Sequence, residues 1–202
     1  MKLRESGMPE ECYWETLFNV ELILNRLEIN ERLRDVVELG CGYGTFTLPV
    51  ARRISGTLRT FDIDAGMLER TVRRAAAEKV GNLECEQRDV FQHGFGVPLE
   101  SQDACLLFNI LHCEEPLRLL QEAARVVRPA GFVHVIHWRY DSATPRGPSM
   151  EIRPRPEQIV EWAKRAGLLT TPDPVLDLPP WHYGIRLQRP PRLRDEIVCS
   201  HE

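Results

Sequence analysis

The chain has 202 residues, with 26 basic and 30 acidic side chains and a formal net charge of −4. With 43% hydrophobic and 28% charged residues, it has the make-up of a soluble globular domain with a substantial core. No run of Lys and Arg offers a phosphate-backbone footprint, and no apolar stretch approaches ~18 residues, which argues against nucleic-acid and membrane partners. Met1 to Glu5 show no apolar leader pattern. The cysteines at 12, 41, 85, 105, 113 and 199 form no C-x-x-C pair, so they read as reduced thiols of a cytoplasmic protein. The scattered His and Cys residues show no zinc-ligand spacing, and no metal is expected.

Between Cys12 and Leu33, the residues Leu17, Val20, Leu22, Ile23, Leu24 and Leu27 recur at mostly helical spacing, which predicts one or two amphipathic helices. Next comes Val36-Val37-Glu38-Leu39-Gly40-Cys41-Gly42-Tyr43-Gly44: a short β-branched run, an acid, then three glycines at alternate positions. A helix is predicted over 45–54. Strand, glycine turn and helix start together form a nucleotide-binding device. Glycine accepts otherwise costly dihedrals and lets a ligand approach closely, and the helix start offers unpaired N–H groups. A dinucleotide site wants G-x-G-x-x-G, whereas here the third glycine is Gly44 and Thr45 occupies the later position.

A second strand is predicted over 57–64, ending in acid roughly 20 residues after the glycines, where a carboxylate meets a ribose. A helix over 67–79, strands over 82–90 and 104–112, a helix over 115–127 and a strand over 132–138 follow. This alternation implies βαβ units and a parallel sheet covered by helices on both faces. The stretch 142–155 carries Pro145, Pro148 and Pro154 and breaks regular structure. Pro156 and Gly167 bracket another helix. After Leu168 and Leu169, a Pro-rich connection leads to a strand over 181–187, and the polar tail from Gln188 reads as loosely held.

The order acidic-x-Gly-x-Gly-x-Gly resembles motif I of the class I, Rossmann-like S-adenosylmethionine-dependent methyltransferases. Four further segments resemble that family in the same order. They are the Asp62-Ile63-Asp64 tip with Met67-Leu68, the third strand ending at Asp89-Val90, the Asn109-Ile110-Leu111-His112 tail of the fourth strand, and Arg128-Pro129-Ala130-Gly131. Together they span about residues 34–139. Cys113 stands where the family's "LHH" tail has its second His, and Ala130 where its "L-K-P-G-G" turn has the first Gly.

The resemblance implies an α/β, doubly wound, mostly parallel seven-stranded sheet with helices on both faces and an antiparallel terminal hairpin. It implies a single domain over 1–202: a helical cap (1–33), a cofactor core (34–140), and a substrate-side loop, helix and terminal strands (141–190). Its cofactor is S-adenosylmethionine, with S-adenosylhomocysteine as product. Glu38, Gly40, Cys41, Gly42, Gly44, Asp62, Ile63, Asp89, Val90 and Asn109 inherit cofactor-binding positions, Asp62 towards the ribose and Asp89 towards the adenine. Tyr13, beside Trp14, is expected to close over the cofactor. Asp89 alternatively caps a turn.

His112 is the candidate catalytic residue, as general base on an acceptor hydroxyl or thiol. The spread of the related pattern over members with different substrates favours a pocket-lining role. His137 and Trp138 read as pocket or core residues and His134 as structural. Arg139, Arg146, Arg153 and Arg155 suit an acidic substrate, although a solvated Pro/Arg loop is the plainer account. The Asn-Pro-Pro-Tyr motif of amino-directed DNA methyltransferases is absent. The expected partner is therefore a small-molecule acceptor, with a monomer or homodimer. The alternatives are a protein that binds the cofactor without turnover and a nicotinamide-dependent oxidoreductase.

Overall fold

Strand β1 (Val36–Leu39) is buried along its whole length, and the sheet grows outward from it. In the computed structural model, which describes residues 8–192, β1 pairs in parallel with β2 (Leu58–Asp62) on one side and β4 (Gln102–Phe108) on the other. Beyond β2 lies β3 (Leu83–Gln87); beyond β4 lies β5 (Val127–Trp138), both also parallel. The sheet is completed by β7 (His182–Gln188), antiparallel to both β5 and the edge strand β6 (Leu169–Leu178), in the order β3-β2-β1-β4-β5-β7-β6. The direction of strand addition reverses between β1 and β4, which is where such sheets open a ligand crevice at their carboxyl ends.

Alternate residues of the central strands face opposite layers. Val36, Leu106 and Ile136 pack with Leu24 of α2 (Val20–Arg26), its C-cap Leu27, and Val50 and Ala51 of α3 (Thr47–Arg53). Val37, Cys105 and Val135 pack with Phe95, Leu119, Ala123 and Ile159, the last three from α6 (Pro116–Val126) and α7 (Pro156–Arg165). Helix α4 (Ala65–Ala77) follows β2, with Asp64 accepting from the Gly66 and Met67 amides as its N-cap. Two short helices, α1 (Glu11–Glu15) and α5 (Val90–His93), complete the helices of the described residues.

The structure differs from the sequence reading in three places. Residues 169–178, expected as a Pro-rich connection, form β6; Pro172 and Pro174 sit on the sheet edge, where a missing N–H breaks no inner ladder. The register shift between Thr170 and Val175 spans those prolines. The turn around Arg128 to Gly131 is an irregularity inside β5, matched by a register shift opposite Gln102 and Ala104, and Ala130 takes a left-handed φ of 65°. Helix α3 begins at Thr47, two residues later than expected. The part of the tail from residue 193 on, with Cys199, lies outside the described residues, as do Met1 to Glu5.

The loop between β5 and α7 has no helix or strand, as its prolines imply, yet it is not a solvated arginine loop. Arg153 is only 6% exposed. Its guanidinium donates to the carbonyls of Pro148, Arg139, Asp141 and Arg146 and to the Thr144 hydroxyl, at 2.6 to 3.3 Å. One side chain thus satisfies the backbone of a segment that makes no ladder. Tyr183 on β7 adds a bond from its hydroxyl to the Pro154 carbonyl at 2.9 Å. Replacing Arg153 by Leu is expected to cost about 2–4 kcal/mol, because buried carbonyls lose their donors. A lowered thermal midpoint together with protease cleavage in 141–154 checks this.

Candidate functional site

The carboxyl ends of β1, β2, β4 and β5 open onto a cleft of about 500 Å³. Glu38, Gly40, Cys41, Gly42, Asp62, Asn109 and His112, all expected site residues, line it, and Trp138 closes one end. Gly40, Gly42 and Gly44 have φ values of 85°, 51° and 79°, so all three sit in the left-handed region that suits glycine. The loop they form bends back over β2, and the Gly42 amide donates to Asp62 Oδ2 at 3.1 Å. The Asp64 amide donates to Asp62 Oδ1 at 3.0 Å. Oδ2 also accepts from the Cys41 thiol at 3.6 Å, whereas Oδ1, held by one backbone donor, keeps a second acceptor direction.

Glu38 is the deepest ionisable group of the cleft, 2% exposed. Thr47 on α3 and Thr60 on β2 donate to the same oxygen, Oε2, at 2.7 and 2.8 Å. Burial pushes the Glu38 carboxyl up from 4.5 to about 7; the two threonine bonds oppose that shift and the nearby Asp62 charge adds to it. Cys41 is pushed far above its ordinary range by burial and by the charges of Asp62 and Glu38, so it is no thiolate nucleophile.

At the tip of β4, Asn109 adopts φ 54°, and its amide donates to the Ile136 carbonyl at 2.8 Å. Its Oδ1 is buried without a hydrogen-bond partner among the described residues. A left-handed backbone and an orphan acceptor on a cleft wall are a combination that a ligand can satisfy. His112 is buried and stands edge-on to His137, with ring centroids 5.5 Å apart. Burial holds His137 well below the usual histidine range, so it stays neutral. His134 and His182 are likewise driven down to about 3 by burial and nearby arginines.

Five expected residues do not join the lining. Gly44 lies behind the loop, where an added Cβ would come within 2.7 Å of Leu48 and 3.2 Å of Thr71, so it is a packing glycine. Asp89 caps α5 by accepting from the Gln92 amide at 3.1 Å. Val90 is buried in the layer beneath α5 and α6, while Ile63 is exposed on the outer side of the β2 tip. Tyr13 is 41% exposed, and its neighbour Trp14 lines the cleft instead, edge-on to Trp138 at 6.3 Å. Helix α1 is strapped there by Arg74, which donates to Glu11 and Glu15, and by the Tyr43 hydroxyl donating to the Pro9 carbonyl.

Sequence reasoning did not single out Phe46, Phe108, Asp64 and Met67 as lining residues, nor Thr47 and Thr60 as partners of Glu38. The aromatic pair has a signal in hindsight. Phe46 ends the glycine loop and Phe108 ends β4, so both follow from the motif frame; their rings meet at 5.0 Å. Among the described residues no cluster of His, Cys, Asp and Glu is arranged to hold a metal ion, and no helix is long and apolar enough to cross a membrane.

Residues 36–131 match a family profile described as a methyltransferase domain. An uncharacterised protein carried on a transposon of Streptomyces fradiae is 33% identical over 161 residues, covering 73% of this chain; the chain spans 45% of that relative's length. A SAM-dependent methyltransferase from Aquifex aeolicus superposes with a TM-score of 0.76 at 19% identity, over 89% of this chain and 93% of that one. The [4+2]-cyclase SpnF superposes at 0.70 with 16% identity, over 94% and 85%. At such identities the likeness concerns the fold, and the cyclase shows that the fold is not bound to one reaction.

The raised Glu38 carboxyl has a consequence for stability. The folded chain keeps until about pH 7 a proton that the unfolded chain releases near 4.5, so Glu38 makes stability fall as pH rises through that window. Glu38→Gln should flatten that fall and raise stability at pH 8 by roughly 2–3 kcal/mol. Thermal melts of both proteins from pH 5 to 8 check it; parallel curves would contradict the assigned burial. Residues 36–131 thus match a methyltransferase domain, and the chain has the fold of the S-adenosylmethionine-dependent methyltransferase from Aquifex aeolicus.

Proposed function

We propose that the protein transfers the methyl group of S-adenosylmethionine to a small-molecule acceptor. The observation that carries this reading is the convergence of an acid, a glycine loop, a second acid, an orphan amide oxygen and a histidine on one cleft. The donor set suits the cofactor. Asp62, held by two backbone amides and the Cys41 thiol, offers the open side of Oδ1 to a ribose diol. Glu38 offers a carboxyl to a cationic amino-acid end, and Asn109 Oδ1 offers an unfilled acceptor beside it. When bound, S-adenosylmethionine supplies a methyl already activated on a sulfonium, so the protein need not create an electrophile.

The chain's own task is then to hold, orient and dry the site. Positioning of this kind is worth about 7–11 kcal/mol of barrier in well-oriented reactions. Trp14, Phe46, Phe108 and Trp138 make one end of the cleft aromatic, which lowers the local dielectric. His112 takes the proton that an acceptor hydroxyl or thiol releases. Its neighbour His137, kept neutral, adds no competing charge. A cationic ligand beside Glu38 favours the carboxylate. Binding should therefore release a proton, and affinity should weaken as pH falls below 7.

Calorimetric titration with S-adenosylmethionine, S-adenosylhomocysteine and a nicotinamide dinucleotide tests the cofactor, and labelled-methyl transfer to a panel of metabolites tests the reaction. Binding of the adenosyl ligands at about micromolar Kd, with none for the dinucleotide, is expected. Stoichiometric binding with no transfer to any acceptor would favour a non-catalytic cofactor-binding protein. Asp62→Ala should weaken cofactor binding by about 1–3 kcal/mol. His112→Ala should leave that affinity nearly intact and slow transfer by about 10²–10⁴-fold; an unchanged rate would reduce His112 to a wall residue.

A further inference from the structure

A second cavity, of about 390 Å³, lies under the β5–α7 loop, and His112 lines both it and the cofactor cleft. Two cavities that share one imidazole are placed as donor and acceptor chambers need to be. The larger one contains the glycine loop and both acids, so the smaller one is left for the molecule that receives the methyl group. This inference rests on the methyl-transfer reading above.

The chemistry of the second chamber is uneven. Its apolar wall includes Leu111, Ile152 and Trp162. Its charge comes from two arginines and two glutamates, but at different depths. Arg153 is buried, and the Asp141 charge acts on it only through space; its donors go to carbonyls and a hydroxyl. Glu114, Glu151 and Arg155 are all solvent-exposed, but among the described residues the two glutamates are not held against the chamber by any contact like the stacking of Arg155 on Tyr140. Arg155 sits over the Tyr140 ring, Cζ 3.6 Å from the centroid, and among the described residues no carboxylate pairs with its guanidinium. By contrast, Arg139 is committed to Asp177. A guanidinium over a ring face covers one of its own faces and leaves its N–H edges open to a bidentate carboxylate. Arg155 also starts α7, its amide donating to Gln158 Oε1 at 2.8 Å, so its backbone is fixed.

We infer that this chamber is the acceptor site and that it takes a small, mostly apolar molecule bearing one carboxylate, which Arg155 holds. The apolar body lies against Leu111, Ile152 and Trp162, and the nucleophile faces His112. Arg153 spends its Nε, Nη1 and Nη2 donors on loop carbonyls and the Thr144 hydroxyl, which leaves the anion to Arg155. Arg155 is thus a specificity-determining residue that leaves the cofactor cleft untouched.

Three probes of similar size and different charge test this: 4-hydroxyphenylacetate, 4-ethylphenol and tyramine, each titrated into protein saturated with S-adenosylhomocysteine. The acid should bind at least about tenfold more tightly than the neutral and cationic probes. Arg155→Gln should erase that preference without changing S-adenosylhomocysteine affinity. Arg59→Gln, which removes a charge on β2 paired with Glu84, should retain it. Equal binding of the three probes, no binding of the acid, or a preference that survives Arg155→Gln would overturn the inference while leaving the cofactor reading standing. Failure of S-adenosylhomocysteine to bind would overturn both.

Discussion

The site is organised around a carboxyl group that the fold keeps out of water. Glu38 lies one residue before the end of β1, and its Oε2 gathers the hydroxyls of Thr60 from the neighbouring strand and Thr47 from the first crossover helix. Those two bonds tie β1, β2 and α3 together at the point where the strand order reverses. They also leave the group poorly solvated, so its ionisation opposes folding unless something positive arrives. A site that stabilises the empty fold least where it binds the ligand is a common outcome when function and stability compete for one residue.

Everything above the sheet follows from that base. The glycine loop folds onto Asp62 because three left-handed positions let its amides point inward. Gly44 then allows Leu48 and Thr71 to close behind the loop, where no side chain fits. On the opposite side, three buried histidines on β5 and β7 are held neutral by burial, and His182 packs among Trp138 and Phe18 as an aromatic ring would. His112, at the end of the β4 tail, sits apart from this group in role, because it faces two cavities. Arg153 gives the irregular loop beyond β5 a fixed shape, and that shape makes the second cavity.

The central sheet and the glycine loop were legible because their signals are local: β-branched runs, glycine at alternate positions and acids at strand tips. The antiparallel terminal hairpin was also expected, although the strand inside 169–178 was obscured by Pro172 and Pro174, which only its edge position tolerates. Tyr13 and Trp14 are adjacent on a short helix, and which of them faces the cleft depends on ion pairs from Arg74, 59 and more residues away in sequence. Asp89 and Val90 sit at the tip of a strand near the sheet margin, where a cap and a core contact use them. The arginine loop was the least legible element. Four similar residues have different fates: Arg139 pairs with Asp177, Arg153 is buried against carbonyls and Arg155 is stacked on Tyr140, while Arg146 lends its carbonyl to Arg153. Composition cannot separate them, because each fate is set by a tertiary contact.

The most direct measurement is the titration of the Glu38 carboxyl carbon by NMR in the free protein and with S-adenosylmethionine bound. The free carboxyl should titrate near pH 7, and the ligand should move that titration down by at least about one unit, as a cation placed beside it requires. A carboxyl that titrates near 4.5 in the free protein, or one that the ligand leaves unchanged, would contradict the account of how this site is built and what it binds.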